Sequence, residues 1–318
     1  MEYIIGLDVG GTKCAVNLAS DNGNGAPEIL DKIQFPTEAD KPYDVLARFM
    51  KELDAMLMRN RLAYTDVYGI GISCGGPLSS ERGVIMCPPN LPKWDNVPIC
   101  DYFTERTGIK CHLQNDANAC AVAEWKYGAG KGLKNMVFLT FGTGLGAGLI
   151  LDGRLYRGTS DNAGEIGHVR LEPEGPIGYG KAGSCEGFCS GGGIAQMGAK
   201  ALSELKTGDA LYDACGGKAE NVSAKLIAEL ADKGDPVCLG IYNKCAEKLG
   251  LTLSILCDVL DPEAIVIGGI FMRSDHLLSE GIERVMKREA LIPRKVLKAG
   301  LGEHVGDYAA LSVAKGNY

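Results

Sequence analysis

The sequence predicts an α/β protein of two domains about a central cleft. Three observations lead there. An apolar strand meets a glycine turn and a second strand at the N-terminus, and the same strand–glycine–strand pattern returns near residue 140. A third apolar strand ends in paired glycines at 268 and 269. Between these points strand-like runs alternate with stretches of helical spacing. At 318 residues the chain has room for two ordinary domains with sizeable cores.

Taken in order, residues 3–8 read as a strand and 12–19 as its antiparallel partner across the glycine turn, with 28–35 a third strand. Residues 44–61 have helical spacing, with Val45, Leu46, Phe49, Leu53 and Leu57 on one face. A strand at 67–73, a helix at 99–107, a short strand at 111–115 and a helix at 118–127 follow. The second set opens with strands at 135–141 and 146–151 around Gly142-Thr143-Gly144, a loose internal repeat of the first hairpin. Residues 163–193 are glycine-rich and read as a long functional loop. Helices at 223–232 and 236–260, a buried strand at 264–268 and a last helix at 307–315 complete the pattern. The natural crossing between halves is at residues 116–118, and two similar halves joined there predict a hinge.

Composition narrows the function. The hydrophobic fraction is 46% and the charged fraction 23%, near the soluble globular average. A net charge of −7 disfavours nucleic acid and anionic membrane as partners, since both need a cationic face. It leaves phosphate ligands open, because glycine loops bind them through backbone N–H groups. No apolar run approaches about twenty residues, and the N-terminus lacks a secretory pattern, so the expected location is the cytoplasm. Twelve cysteines in so long a chain are expected to be reduced and buried.

Three glycine turns carry the first chemistry. In Gly6-Leu7-Asp8-Val9-Gly10-Gly11-Thr12-Lys13, a strand delivers Asp8 to a turn whose N–H groups are free of side-chain obstruction. Asp8 is placed to hold Mg²⁺ through water, while Thr12 adds a hydroxyl and Lys13 a charge. In Thr140-Phe141-Gly142-Thr143-Gly144-Leu145-Gly146-Ala147-Gly148 the alternating glycines imitate a dinucleotide fingerprint. That fingerprint requires a helix after it, and Leu149 onward reads as strand, so a dinucleotide fold is disfavoured. Gly268 and Gly269 end a buried strand and would let an adenine or ribose lie against the backbone.

The three turns, in this order and spacing, resemble the two phosphate segments and the adenosine segment of the actin, hexokinase and heat-shock ATPase superfamily, whose fold is ribonuclease H-like. Within it the chain is similar to the ROK (repressor, open reading frame, kinase) sugar kinases over nearly its whole length. ROK repressors carry an N-terminal helix-turn-helix, and this chain begins at the phosphate strand, which favours the kinase branch. The resemblance implies a small N-terminal domain of 1–117 with 302–318, a larger domain of 118–301, and a homodimer. ATP, Mg²⁺ and a sugar are the implied ligands.

Gln114-Asn115-Asp116-Ala117-Asn118 lies where a strand gives way to a helix. Phosphorylating a sugar hydroxyl needs a proton acceptor, and Asp116 matches the family's catalytic aspartate. Its simpler role is to cap the helix. The resemblance carries sugar binding to Gly76 in Cys74-Gly75-Gly76-Pro77, Asn90, Asn115, Asp116, Glu165 and His168 in Gly164-Glu165-Ile166-Gly167-His168, and Glu186. Most ROK proteins also bind structural zinc through one histidine and three cysteines. Here His168 is present, but the cysteine positions hold Ile177, Tyr179 and Ser184, which cannot replace thiolates. No zinc is expected, and packing by Ile177 and Tyr179 is expected to hold the loop instead. The leading reading is a glucose 6-kinase. Kinases for N-acetylmannosamine, N-acetylglucosamine or fructose, and a non-catalytic sugar sensor, are the alternatives.

Overall fold

A computed structural model describes residues 2–318. Its elements are β1 (Glu2–Val9), β2 (Lys13–Asp21), β3 (Glu28–Pro36), α1 (Pro42–Arg59), β4 (Val67–Cys74), β5 (Leu78–Ser79), β6 (Val84–Ile85), α2 (Ile99–Thr107), β7 (Cys111–Asn115) and α3 (Asp116–Tyr127). There follow β8 (Met136–Phe141), β9 (Leu145–Leu151), β10 (Arg154–Tyr156), β11 (Ile177–Gly178), β12 (Lys181–Ala182), α4 (Cys185–Phe188), α5 (Gly191–Ala201) and α6 (Ala210–Cys215). The chain ends with α7 (Ala224–Asp232), α8 (Pro236–Leu260), β13 (Ala264–Ile267), α9 (Phe271–Glu289), β14 (Lys295–Lys298) and α10 (Val305–Val313).

Two five-stranded sheets organise these elements, in the orders β3-β2-β1-β4-β7 and β10-β9-β8-β13-β14. The chain divides into two compact units. One comprises the chain up to Phe138, Gly148–Ala163 and Ala299–Tyr318; the other comprises Leu139–Ala147 and Gly164–Lys298. This differs from the expected division at 117/118, because residues 118–138 group with the N-terminal unit. The reason is packing: α3 lies on α10, where Ser312 Oγ donates to Ala119 O at 3.2 Å and Lys126 Nζ donates to Ser312 O at 3.1 Å.

In the first unit β1 pairs antiparallel with β2 and parallel with β4, and β4 parallel with β7. The alternation of side chains across a strand gives the sheet two apolar faces. One face, carrying Ile5, Leu7, Val16 and Leu18, packs on Leu46, Phe49 and Leu53 of α1 and Phe103 of α2. Phe49 meets Phe35 and Phe103 edge-on at 4.9 and 6.1 Å. The other face, with Ile4 and Ala19, packs on Leu311 and Ala314 of α10. α10 sits so close that a Cβ at Gly71 would fall 1.9 Å from Ala310 O.

In the second unit α8 and α9 pack tightly where small residues permit it: a Cβ at Gly250 would lie 2.7 Å from Val285 Cβ, and one at Gly281 would lie 2.7 Å from Ala246 Cβ. The sequence reading left α9 out. Its opening at Gly269-Ile270 resembles a loop, Gly281 interrupts its stripe, and Ser274 departs from helical dihedrals. The segment read as a loop over 163–193 also contains the β11–β12 hairpin and α4, and α5 begins inside it. Most cysteines are buried thiols. Among the described residues no helix is long and apolar enough to cross a membrane.

Gly71→Ala is expected to lower stability by about 1–3 kcal/mol, the usual range for overpacking. Chemical denaturation of both forms would measure the difference, and an unchanged midpoint would show that α10 is free to shift away.

Candidate active site

In the first unit, the register of three parallel strands gathers the candidate residues. Asp8 of β1 lies opposite Ser73 of β4, which lies opposite Gln114 of β7. One step further along, Val9, Cys74 and Asn115 form the next row. Ligands of α/β sheets collect at the carboxyl ends of such strands, and here three polar segments emerge there together. They are the turn at Gly10–Lys13, the Gly75-Gly76 turn with its cis Gly76–Pro77 peptide, and Asn115-Asp116.

The first turn is tight. A Cβ at Gly10 would lie 2.6 Å from Lys13 O, and one at Gly11 would lie 2.6 Å from Asn90 O. Only glycine fits, and the second approach seats the Asn90 loop on this turn. That loop is anchored from beneath by fully buried Trp94, whose indole N–H donates to Ala39 O at 3.0 Å. Thr37 braces the turn by donating to Gly10 O at 2.7 Å. Thr12 and Lys13 remain exposed.

Asn115, not Asp116, is the N-cap of α3. Its side-chain oxygen accepts from Ala117 N and Asn118 N at 2.9 and 3.4 Å. The capping role therefore falls to the neighbour, and Asp116 occupies the first helical position, its Oδ1 accepting from Ala117 N at 2.7 Å. The amide nitrogen of Asn115 sits 3.3 Å from where a Cβ on Gly76 would be. Asp116 reaches solvent, yet enough protein surrounds it that desolvation raises its pKa above the ordinary carboxylate value. Asp8 is pushed up to about 7 by burial first and then by the negative charges of Asp116 and Asp307. A half-buried carboxylate crowded by another anion is a favourable oxygen ligand for a divalent cation. Among the described residues no group of three His, Cys, Asp or Glu is arranged to hold a metal ion. A Mg²⁺ held at Asp8 would therefore keep most of its shell for water and phosphate oxygens, as that ion prefers.

The second unit builds a separate cluster of its own around the start of β9. Gly142 N donates to Gly144 O at 3.0 Å, closing the turn. Glu186 at the start of α4 accepts from Leu145 N at 3.0 Å, and its carboxylate lies 2.6 Å from where a Cβ on Gly144 would be. Ala147 N donates to Gly164 O at 3.0 Å, which lays Gly164-Glu165-Ile166-Gly167-His168 along the same strand. Glu165, His168 and Thr143 are exposed. Gly269, at φ +68°, backs onto the turn as well: Ile270 N donates to Phe141 O at 2.6 Å, and a Cβ on Gly269 would fall 2.0 Å from that oxygen. Gly268 N donates to Leu139 O at 3.0 Å. The second and third glycine signals are thus one construction, with Glu186 tied to it.

The loop that lacks the family's cysteines is not held by Ile177 and Tyr179. These side chains are 55% and 64% exposed, and Tyr179 makes only an edge contact with the His168 ring at 6.1 Å. Polar groups hold the loop instead. The Gln196 amide pairs with Ile177 in both directions, at 2.9 and 2.8 Å. Cys185 N donates to Val169 O at 2.7 Å. Glu172 bonds to Lys244 at 3.0 Å and to Lys248, a lysine only 5% exposed that also lies over the Phe188 ring at 5.7 Å. Cys185 and Cys189 point into the core, toward Thr252 Oγ1 and Cys245 O. Sequence reasoning missed Glu172, Gln196 and Lys248. The available signal was Lys248 itself, a charge between Cys245, Leu249 and Thr252 on the buried stripe of α8.

Two outcomes follow from these charges. Glu172→Gln would leave Lys248 buried without its counter-charge, a loss of about 3–5 kcal/mol where burial is complete. Lys248→Met should be much milder, so comparative thermal unfolding of the two variants checks the pairing. For Asp8, the folded chain holds its proton more tightly than the unfolded one, so the free protein loses stability as pH rises from about 4 to about 7. Asp8→Asn should flatten that segment of a melting-temperature profile.

A profile of the family described as "ROK family" matches residues 4–317. The glucokinase of Halalkalibacterium halodurans is 32% identical over 292 residues, covering 91% of this chain and 86% of that protein. The glucokinase of Thermotoga maritima is 31% identical over 320 residues, covering 98% of this chain and 97% of the relative. Among solved structures, a ROK family glucokinase from Streptomyces griseus in complex with glucose and AMPPNP superposes with a TM-score of 0.79 at 28% identity, covering 99% of this chain and all of the other.

Proposed function

Because this chain belongs to the ROK family, we propose that it transfers the γ-phosphoryl group of ATP to the 6-hydroxyl of a hexose, with glucose the first choice. The observation that carries this reading is Asp116. It is a carboxylate with a raised pKa, freed from capping by Asn115, and it shares the carboxyl ends of β1, β4 and β7 with the Gly10–Lys13 turn.

In the first unit, Asp116 accepts the hydroxyl proton as the sugar oxygen attacks phosphorus. Burial raises its pKa, which makes it a stronger base than an ordinary aspartate. Asn90, Asn115 and Gly76 contact sugar hydroxyls, and the N–H groups of Gly10 and Gly11, with Thr12 and Lys13, hold phosphate oxygens. Asp8 would hold Mg²⁺, which when bound neutralises charge on the bridging phosphate oxygens. In the second unit, Gly142, Thr143 and Gly144 bind phosphate, and Gly268 and Gly269 face the adenosine. Glu165, His168 and Glu186 supply the acceptors and donors that a ring of hydroxyls requires. We place the protein in the cytoplasm as a homodimer, on its kinship with the family.

Asp116→Asn is expected to lower sugar-dependent ADP release by about 10²–10⁴-fold, the typical contribution of general-base catalysis, with sugar affinity far less changed. An ADP-release assay over glucose, N-acetylmannosamine, N-acetylglucosamine and fructose checks this and selects the substrate. Sugar binding without turnover in the unaltered chain would replace the kinase with a sensor.

A further inference from the structure

The first unit carries a polar cavity of about 500 Å³ that contains none of the residues assigned to the reaction. It falls within the size range of small-molecule sites. Its walls include His112 of β7, Ser80 of β5–β6, Arg154 and Tyr156 of β10, Arg157, and the C-terminal Tyr318.

The charges in this cavity run against the rest of the chain. The sequence carries −7 overall, yet two guanidiniums line one concave surface. Arg154 is exposed and has no ion pair among the described residues. Arg157 donates one bond, Nη1 to Ser80 Oγ at 2.5 Å, out of the five that a guanidinium offers. The acid in reach, Asp161, is already engaged: it accepts from Ser80 N at 2.9 Å and Ser80 Oγ at 2.6 Å, and lies 3.9 Å from Arg157. Burial and Lys110 keep His112 below its ordinary pKa, so it stands as a neutral hydrogen-bonding ring. Tyr156, about half exposed, and Tyr318 complete the lining with aromatic side chains.

We propose that this cavity binds a small phosphate monoester, its phosphate gripped by Arg154 and Arg157 and its organic part resting on the tyrosines. Paired guanidiniums match phosphate geometry bidentately, and an aromatic wall favours an ester over free phosphate. Ser80 lies four residues after Gly76, and Asp161 four residues before Glu165. A ligand that recruits Arg157 therefore competes with the clasp that anchors both segments, and the cavity is suited to regulate.

The test is residue-specific and does not depend on turnover. Phenylglyoxal modification of Arg154 and Arg157 is followed by peptide mass spectrometry, with glucose 6-phosphate, AMP, inorganic phosphate or glucose present. Glucose 6-phosphate or AMP, present at about ten times its dissociation constant, should slow modification of both arginines by about tenfold, since the rate follows the unoccupied fraction, and which of the two protects identifies a sugar or a nucleoside ester. Glucose should not protect. Arg154→Glu, at an exposed position, should keep its melting temperature and lose the protection at Arg157. Equal modification rates with and without both esters would overturn the proposal. So would protection by inorganic phosphate or glucose as strong as by either ester.

Discussion

Everything functional in the first unit depends on the register of β1, β4 and β7. Because the three strands run parallel and in step, their carboxyl ends stop at one level, and Asp8, the Gly75-Gly76 turn and Asn115-Asp116 emerge side by side. Slipping one strand by a single residue would turn Asp8 to the opposite face of the sheet. Packing prevents this: α1 and α10 grip the two faces through different residue sets, so a slipped strand would present polar groups to one layer and lose apolar contacts with the other. Core and site are therefore a single constraint, and the crowding that raises the Asp8 and Asp116 pKa values follows from it.

The second unit reaches an equivalent result by backbone contact. The Gly142–Gly144 turn is fastened by Gly269 and Ile270 at Phe141, and by Gly191 N donating to Gly142 O at 2.8 Å. Such fastening requires residues without side chains, which explains why glycines far apart in sequence gather here. In the adjacent loop, Gln196, Glu172 and Lys248 hold the segment carrying His168 and Glu186.

How much of this was readable beforehand divides along physical lines. Features set by local chemistry were visible: the strands around each glycine turn, α2 and α8, and Asp116 at a strand-to-helix junction. The N-cap was not assigned to Asn115, since both residues cap well and only their coordinates choose between them. Long-range features were hidden. Nothing in the order of residues places Gly269 against Phe141 or Glu172 against Lys248, because those pairs arise only once the chain folds back over 128 and 76 residues respectively. The expected packing role of Ile177 and Tyr179 failed because hydrophobic character alone was taken for burial. The β11–β12 hairpin packs on α4 through Gly178, where a Cβ would lie 2.5 Å from Gly187 N, and Ile177 and Tyr179 are left facing water.

The bond from Leu145 N to Glu186 has a further consequence. In the function proposed above, the carboxylate assigned to the sugar also braces the hairpin assigned to the nucleotide tail. Selectivity for one co-substrate and grip on the other thus have a common hinge pin. On that proposal, an attempt to retune the preferred sugar by altering Glu186 would disturb triphosphate handling at the same time, and evolution toward new sugars would find an easier path through His168, whose side chain is exposed.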